Sequence, residues 1–206
     1  MALPASETFT ASSNATLQAY NSNWVINNGG FSVDAAGDFC YPTVNGAEGA
    51  AHWGADTFSN DQYSQAAITN TFNDGAAGVS VRCAASGATF YGAYYSPNWG
   101  DNRVWLFKVV SGTWTELATV NVTLAAGDIL RLEVSGTALT VKKNGTNITG
   151  LVNISDSSIS SGYAGISAYS TSTNAQLDNW EGGNLGGSGV TGTPANAAAA
   201  AAAIAP

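Results

Sequence analysis

The residues of this sequence best suited to chemistry are aromatic. Trp99 lies in Ser96-Pro-Asn-Trp-Gly-Asp-Asn102, where Pro97, Gly100 and the Asn and Asp residues mark a loop. An exposed indole beside an amide and a carboxylate is a sugar-binding combination. The ring covers the apolar face of a pyranose, and Asp101 and Asn102 take its hydroxyls. Arg103, Trp105 and Phe107 follow at a period of two, so they share one face of a strand, while Val104, Leu106 and Val110 read as the opposite face. Apolar residues on both faces mean either a strand buried on both sides or an aromatic outer face that binds something. Tyr91, Ala93 and Tyr95 carry the same period and extend that face. The expected glycan contacts are therefore Trp99, Asp101, Asn102 and Arg103, with Trp105 or Tyr95 beneath the indole.

Catalytic sets are poorly supplied. Glycoside cleavage needs two carboxylates facing one bond, and the Glu residues at 7, 48, 116, 133 and 181 are scattered. Asp34 and Asp38 flank Ala-Ala-Gly, which reads as a solvated turn. Any Ser/His/Asp triad would have to use His52, the one His of the chain, and no nucleophile-elbow sequence accompanies it. His52 is expected to be a loop residue or the partner of a neighbouring carbonyl. One His and two Cys cannot build a His/Cys metal cluster. No cofactor is expected. Calcium is conceivable at Asp101/Asn102 or Asp34/Asp38, although neither has the spacing of an EF-hand. Cys83 continues the Val79/Val81 series, so it reads as a buried thiol facing inward, and two reduced thiols are expected at Cys40 and Cys83.

Composition agrees with a binding or structural role. Charged residues are only 10% of the chain, and the formal net charge is −8 with a pI near 4.2. Binding to nucleic acid or to an anionic membrane needs a basic patch, which this balance argues against. It argues equally against a nucleotide-binding α/β enzyme. The opening MALPASETF has neither a basic region nor an apolar core, so no signal peptide is visible, and no apolar run is long enough to span a membrane. Gly, Ser, Thr and Asn dominate the remainder and favour turns and strands over charged helices. From Gly182 the composition shifts. Residues 182–194 read as a Gly-rich linker and 195–206 as an Ala-rich arm, leaving 1–181 as one domain.

Within that domain, period-two alternation marks strands at 23–26, 62–69, 78–84, 89–95, 103–109, 113–120, 129–134, 138–143, 162–168 and 175–180. Leu130, Leu132 and Val134 face one way, and Arg131 and Glu133 the other. Ser111-Gly112, Ser135-Gly136 and Asn144-Gly145 supply tight turns. Ten strands in so short a span close most naturally as a two-sheet antiparallel sandwich. The runs WGADTFSNDQYSQAAIT (53–69), GVSVR (78–82), ILRLEVSGTALTVKKNG (129–145), SGYAGISAYS (161–170) and AQLDNWEGG (175–183) resemble the concanavalin A-like, laminin-G-like jelly roll. The resemblance implies that the closing Asp-x-aromatic strand returns beside an N-terminal strand at Glu7-Thr-Phe9. It also sets a standard for enzymes of this fold. The paired-acid strand of jelly-roll glycanases is missing, and Tyr91-Gly-Ala-Tyr94-Tyr95 only faintly echoes the alginate lyases, without their Lys.

The fold family holds lectins, glycan-binding modules, glycanases, adhesion domains and bacteriophage virion proteins, so fold alone does not choose. The sequence favours a non-enzymatic surface protein of an assembly. The expected form is a bacteriophage virion decoration or tail-associated protein, on the virion surface or extracellular. It would contact neighbouring chains through the C-terminal arm and have some affinity for glycan. The alternative is a free carbohydrate-binding module or lectin, and a glycan-active hydrolase or lyase stands third.

Overall fold

The computed structural model describes residues 3–43, 48–69, 75–97, 102–169 and 175–186. In chain order the first elements are β1 (Ala5–Glu7), β2 (Ala15–Thr16), the four-residue helix α1 (Leu17–Tyr20), β3 (Trp24–Asn28), β4 (Phe31–Asp34), β5 (Phe39–Pro42) and β6 (Glu48–Trp53). Then come β7 (Gln62–Ile68), β8 (Ala76–Cys83), β9 (Phe90–Ser96), β10 (Arg103–Val110), β11 (Thr113–Asn121) and β12 (Ile129–Ser135). The last are β13 (Ala138–Lys143), β14 (Thr146–Asn147), β15 (Ile154–Ser155), β16 (Tyr163–Tyr169) and β17 (Leu177–Asn184). Every strand marked by alternation is present, with ends shifted by a few residues. The short strands β1, β2, β4, β5, β14 and β15 and the small-residue strand β6 carry too little alternation to be seen in the sequence.

The strands form an antiparallel two-sheet jelly-roll sandwich. One sheet has ten strands, in the order β14-β13-β12-β7-β17-β5-β4-β2, with β1 on β17 and β15 on β13. The other has seven, in the order β11-β10-β9-β8-β16-β6-β3. Leu130, Leu132 and Val134 face the core between them, and all three are fully buried. Trp24, Trp53 and Trp180 meet there, with ring centroids 4.8 Å apart for Trp24–Trp180 and 5.5 Å for Trp24–Trp53. The Trp180 indole donates to Ser64 Oγ at 2.9 Å, so its polar edge is satisfied. Phe58 and Leu106 join this core, while Phe72 lies outside the described residues. Among the described residues no helix is long and apolar enough to cross a membrane.

The N-terminal strand lies where the resemblance placed it, with Glu7 opposite Trp180. The domain boundary moves, however. β17 continues to Asn184, with Gly182 opposite Ser64 and Gly183 opposite Tyr63. The Tyr63 ring lies on Gly183, where a Cβ would come within 2.8 Å of it. These glycines are therefore part of the sheet, not of a linker. Residues 187–206 lie outside the described residues.

Two turns match their chemistry. Asn144-Gly145 has φ of 49° and 78°, and Ser111-Gly112 has 49° and 82°, the left-handed pair that a type I′ turn requires. In β11, Ala118 pairs with Leu106 and Glu116 with Phe107, so Leu117 is an extra residue forming a bulge.

A second irregularity corrects the sequence reading of Cys83. Val79 and Val81 face the core, but Arg82 has φ of 51° and breaks the alternation. Cys83 is buried on the outer side of the seven-stranded sheet instead, whereas Cys40 lies in the inter-sheet core. Both are free thiols, and burial pushes both up in pKa, Cys83 to about 12. The Arg82 guanidinium turns inward and is 2% exposed. It donates to the carbonyls of Asn60 (2.9 Å), Ile159 (2.8 Å) and Gly136 (2.7 Å), tying three loops to β8.

Arg82→Met should destabilise the domain by at least about 3 kcal/mol, because three carbonyls would lose their donor. Urea denaturation checks this. A midpoint within experimental error of the wild type would show that the loops are held by other means.

Candidate functional site

In a two-sheet sandwich each strand ordinarily keeps one dry face and one wet face. β8 and β9 do not, for every residue of both is buried. The cause lies on the outer side of the seven-stranded sheet. Its central outward positions are small: Ala50 on β6, Gly165 and Ser167 on β16, Gly78 and Ser80 on β8, and Gly92 on β9, paired across strands. A layer of rings covers them. Phe107 lies on Gly92 so closely that a Cβ there would collide with the ring. Tyr94 packs against Phe107 at 4.5 Å, Phe90 at 6.1 Å, and Trp114 stacks on it at 5.9 Å and 26°. Trp105 meets Trp114 edge-on at 6.1 Å. Phe90, Tyr94 and Phe107 are buried, while Trp105, Trp114 and Tyr169 are half-buried and form the side toward solvent.

The Ser80 and Ser167 hydroxyls beneath this layer are bonded to backbone carbonyls of Ile166 and Val79. The polar groups at its margin are Arg103 and Glu48. The Arg103 guanidinium sits 5.8 Å from the Trp105 ring centroid, within cation–π range. Glu48 begins β6 opposite Tyr169. Its Oε1 accepts from the Tyr94 hydroxyl at 3.5 Å, and its Oε2 has no hydrogen-bond partner among the described residues. Burial pushes the Glu48 carboxyl up to about 8, with the Tyr94 contact pulling slightly the other way.

Of the sequence-predicted contacts, Arg103 and Trp105 share this face. Asn102 is exposed at the start of β10, where its Oδ1 accepts from Tyr95 at 3.0 Å. Tyr95 itself is a correction. Trp105 pairs with Tyr94 and Val104 with Tyr95, and cross-strand partners share a face. Tyr91, Ala93 and Tyr95 therefore point into the core, and Tyr94 with Gly92 and Phe90 makes the outer face. The period was right and its phase was wrong. Trp99 and Asp101 lie outside the described residues. Sequence reasoning missed Trp114, Tyr169 and Glu48. The Ser111-Gly112 turn could have found Trp114, since it fixes the register Val109↔Trp114. Nothing in the sequence marked Glu48.

At the far end of the face, His52 is in strand β6 rather than a loop, and it is buried. The Asn27 amide nitrogen donates to the carbonyls of Ala84 (2.7 Å) and Gly87 (3.1 Å), so its oxygen is the atom facing His52 Nδ1 at 2.7 Å. That arrangement places the His52 proton on Nδ1. The ring stacks on Tyr163 at 4.5 Å, and burial lowers its pKa to about 4. Glu133, on the outer side of the ten-stranded sheet, accepts from Arg131 at 2.7 Å and Lys142 at 2.9 Å. Asp34 is occupied as a turn cap, accepting from Ala36 N, Gly37 N and Asn14 Nδ2. Among the described residues no group of three or more His, Cys, Asp or Glu could hold a metal.

No protein-family model matches this chain, and no curated protein matches it. Solved structures do. The carbohydrate binding module CBM66 from Bacillus subtilis superposes with a TM-score of 0.58 at 16% identity, covering 79% of this chain and 92% of that one. The fold is a concanavalin A-like jelly roll. The exoplasmic/lumenal domain of VIP36 in its Ca2+/Man2-bound form gives 0.57 at 16% identity, covering 85% of each chain. The legume lectin-like domain from Entamoeba histolytica gives 0.53 at 14% identity, covering 80% of this chain and 91% of its own.

Glu48 and His52 make stability depend on pH in opposite senses. The folded chain holds a proton on Glu48 that the unfolded chain releases above about 4.5, so its contribution is lost as pH rises toward 8. The unfolded chain protonates His52 below 6.5 whereas the folded chain waits until about 4, so stability is lost as pH falls through that window. Above about pH 7, where the His52 difference has largely faded, Glu48 carries most of the change up to pH 8. Urea midpoints should fall across that interval for the wild type and fall less for Glu48→Gln. Parallel profiles would mean that Glu48 is solvated.

Proposed function

We propose that this chain is a carbohydrate-binding module that holds glycan on the outer face of the seven-stranded sheet and does not cleave it. The observation that carries this reading is the ring layer over β8 and β9. Trp105 and Trp114 are partly open to solvent; Trp114 is held by stacking on Phe107, which packs on Tyr94, and Trp105 is braced edge-on by Trp114. Stacking on a pyranose needs a ring that is exposed and fixed. The jelly-roll likeness to a carbohydrate binding module and to a domain solved with Man2 supports the same reading.

Geometry opposes cleavage on this face. Glu48 and Glu116 both lie on strands of this sheet and point outward, but β6 and β11 stand five strand spacings apart. At about 4.8 Å per strand that is roughly 24 Å, against the roughly 5–9.5 Å between the two acids of a glycosidase. His52 and Glu133 are engaged as described. The virion-surface reading draws on the ends of the chain, and nothing on this face bears on it.

Trp114→Ala should weaken binding on a glycan array by roughly thirtyfold, equivalent to about 2 kcal/mol for a hot-spot ring, with Trp105→Ala in the same range. Circular dichroism should find both variants folded. Undiminished binding by both would remove the ring layer as the site. If Trp99→Ala alone abolished binding, the contact would lie in the 98–101 loop instead.

A further inference from the structure

We propose that the glycan held on this face carries a free primary amine, whose ammonium group docks against Glu48 beside the rings of Tyr94 and Tyr169. The inference rests on the glycan-binding reading and names the class of sugar.

Three elements converge on Glu48. β16 places Tyr169 directly across from it. β9 sends Tyr94 over Gly78 and Ser167, both too small to obstruct a ring, so that its hydroxyl reaches Oε1 at 3.5 Å. In β3, the Asn28 amide donates to the Glu48 main-chain carbonyl and fixes the start of β6. The carboxyl is thus held in one place by contacts that leave Oε2 shielded from water and unpartnered among the described residues. A buried carboxyl without a partner either keeps its proton or acquires a cation.

The surroundings select the cation. Aromatic faces attract ammonium groups. A charge-assisted bond to a carboxylate is also stronger than a bond from a sugar hydroxyl. The chain's net charge of −8 repels uronates and sulfated glycans and attracts an aminated one. A neutral sugar would leave Oε2 with a weak donor or none. When the ammonium arrives, Glu48 gives up its proton to solvent and remains as the carboxylate of an ion pair. Among the described residues, the titratable groups facing it are Tyr94 and Tyr169. Burial and the adjacent carboxyl push the Tyr94 phenol well up, so Tyr94 stays a donor.

The test is isothermal titration calorimetry of the full chain with a chitosan oligosaccharide and with its N-acetylated counterpart. It is run at pH 5.5, where the sugar amine is already an ammonium and Glu48 still holds its proton, in two buffers of different ionisation enthalpy. The aminated oligomer should bind at least about tenfold tighter. Its binding should release close to one proton per site, because Glu48 titrates near 8 when free. In Glu48→Gln, shown folded by circular dichroism, both the preference and the proton release should vanish. Equal or tighter binding of the acetylated oligomer overturns the proposal. So does a preference that survives in Glu48→Gln, which would be long-range attraction to the acidic surface. Array binding confined to sugars without amines overturns the amine but leaves the glycan reading standing. Binding to no glycan at all overturns both.

Discussion

A flat ring can lie against a sheet only where the sheet offers no side chain. Phe107 on Gly92 is that contact, and the outer half of the molecule depends on it. Because Gly92, Gly78, Ser80, Gly165 and Ser167 keep the surface low, Tyr94 and Phe107 sink onto the backbone and Trp114 stacks above them. The seven-stranded sheet thereby becomes a middle layer. It has the inter-sheet core on one side and a thin second core on the other, with Cys83, Phe90 and Phe107 among its fully buried members. A side chain at Gly92 would lift Phe107, and with it the support of both tryptophans.

The two outer faces of the sandwich divide the chain's polarity between them. On the ten-stranded sheet, Arg131 stacks on Tyr63 at 3.5 Å and pairs with Glu133, which also takes Lys142. Tyr63 in turn donates to Glu181. Charge there is spent internally across four strands, leaving a satisfied surface. On the seven-stranded sheet the charges stand at the margins of an aromatic field, and one of them, Glu48, is only partly satisfied. A binding role belongs on the face whose polar groups still have capacity.

Much of this could be read from the residues. The alternation of Leu130, Leu132 and Val134, the Asn144-Gly145 and Ser111-Gly112 turns, and the pairing of the Glu7 strand with the Trp180 strand follow from period, turn chemistry and resemblance. The face of β10 was legible for the same reason. The phase of β9 was not. Tyr91-Gly-Ala-Tyr94-Tyr95 has rings at both parities, so only pairing with β10 decides which ring goes outward. β6 was invisible because Gly49, Ala50 and Ala51 put small residues on both faces. Arg82 misled through its backbone, since a positive φ at a non-glycine residue leaves no trace in an alternating pattern and turns a charged side chain inward.

The extra residue at Leu117 has a bearing on how copies of this molecule meet. Among the described residues β11 is an end strand of the seven-stranded sheet, nine residues long and otherwise suited to pairing with an identical strand from another copy. Open edges of that length invite sheets to join end to end. The bulge breaks the spacing of donors and acceptors part-way along and increases the local twist, so a second chain meets a ladder with a missing rung. The irregular edge thereby works against β11 adding to the same strand of a second copy.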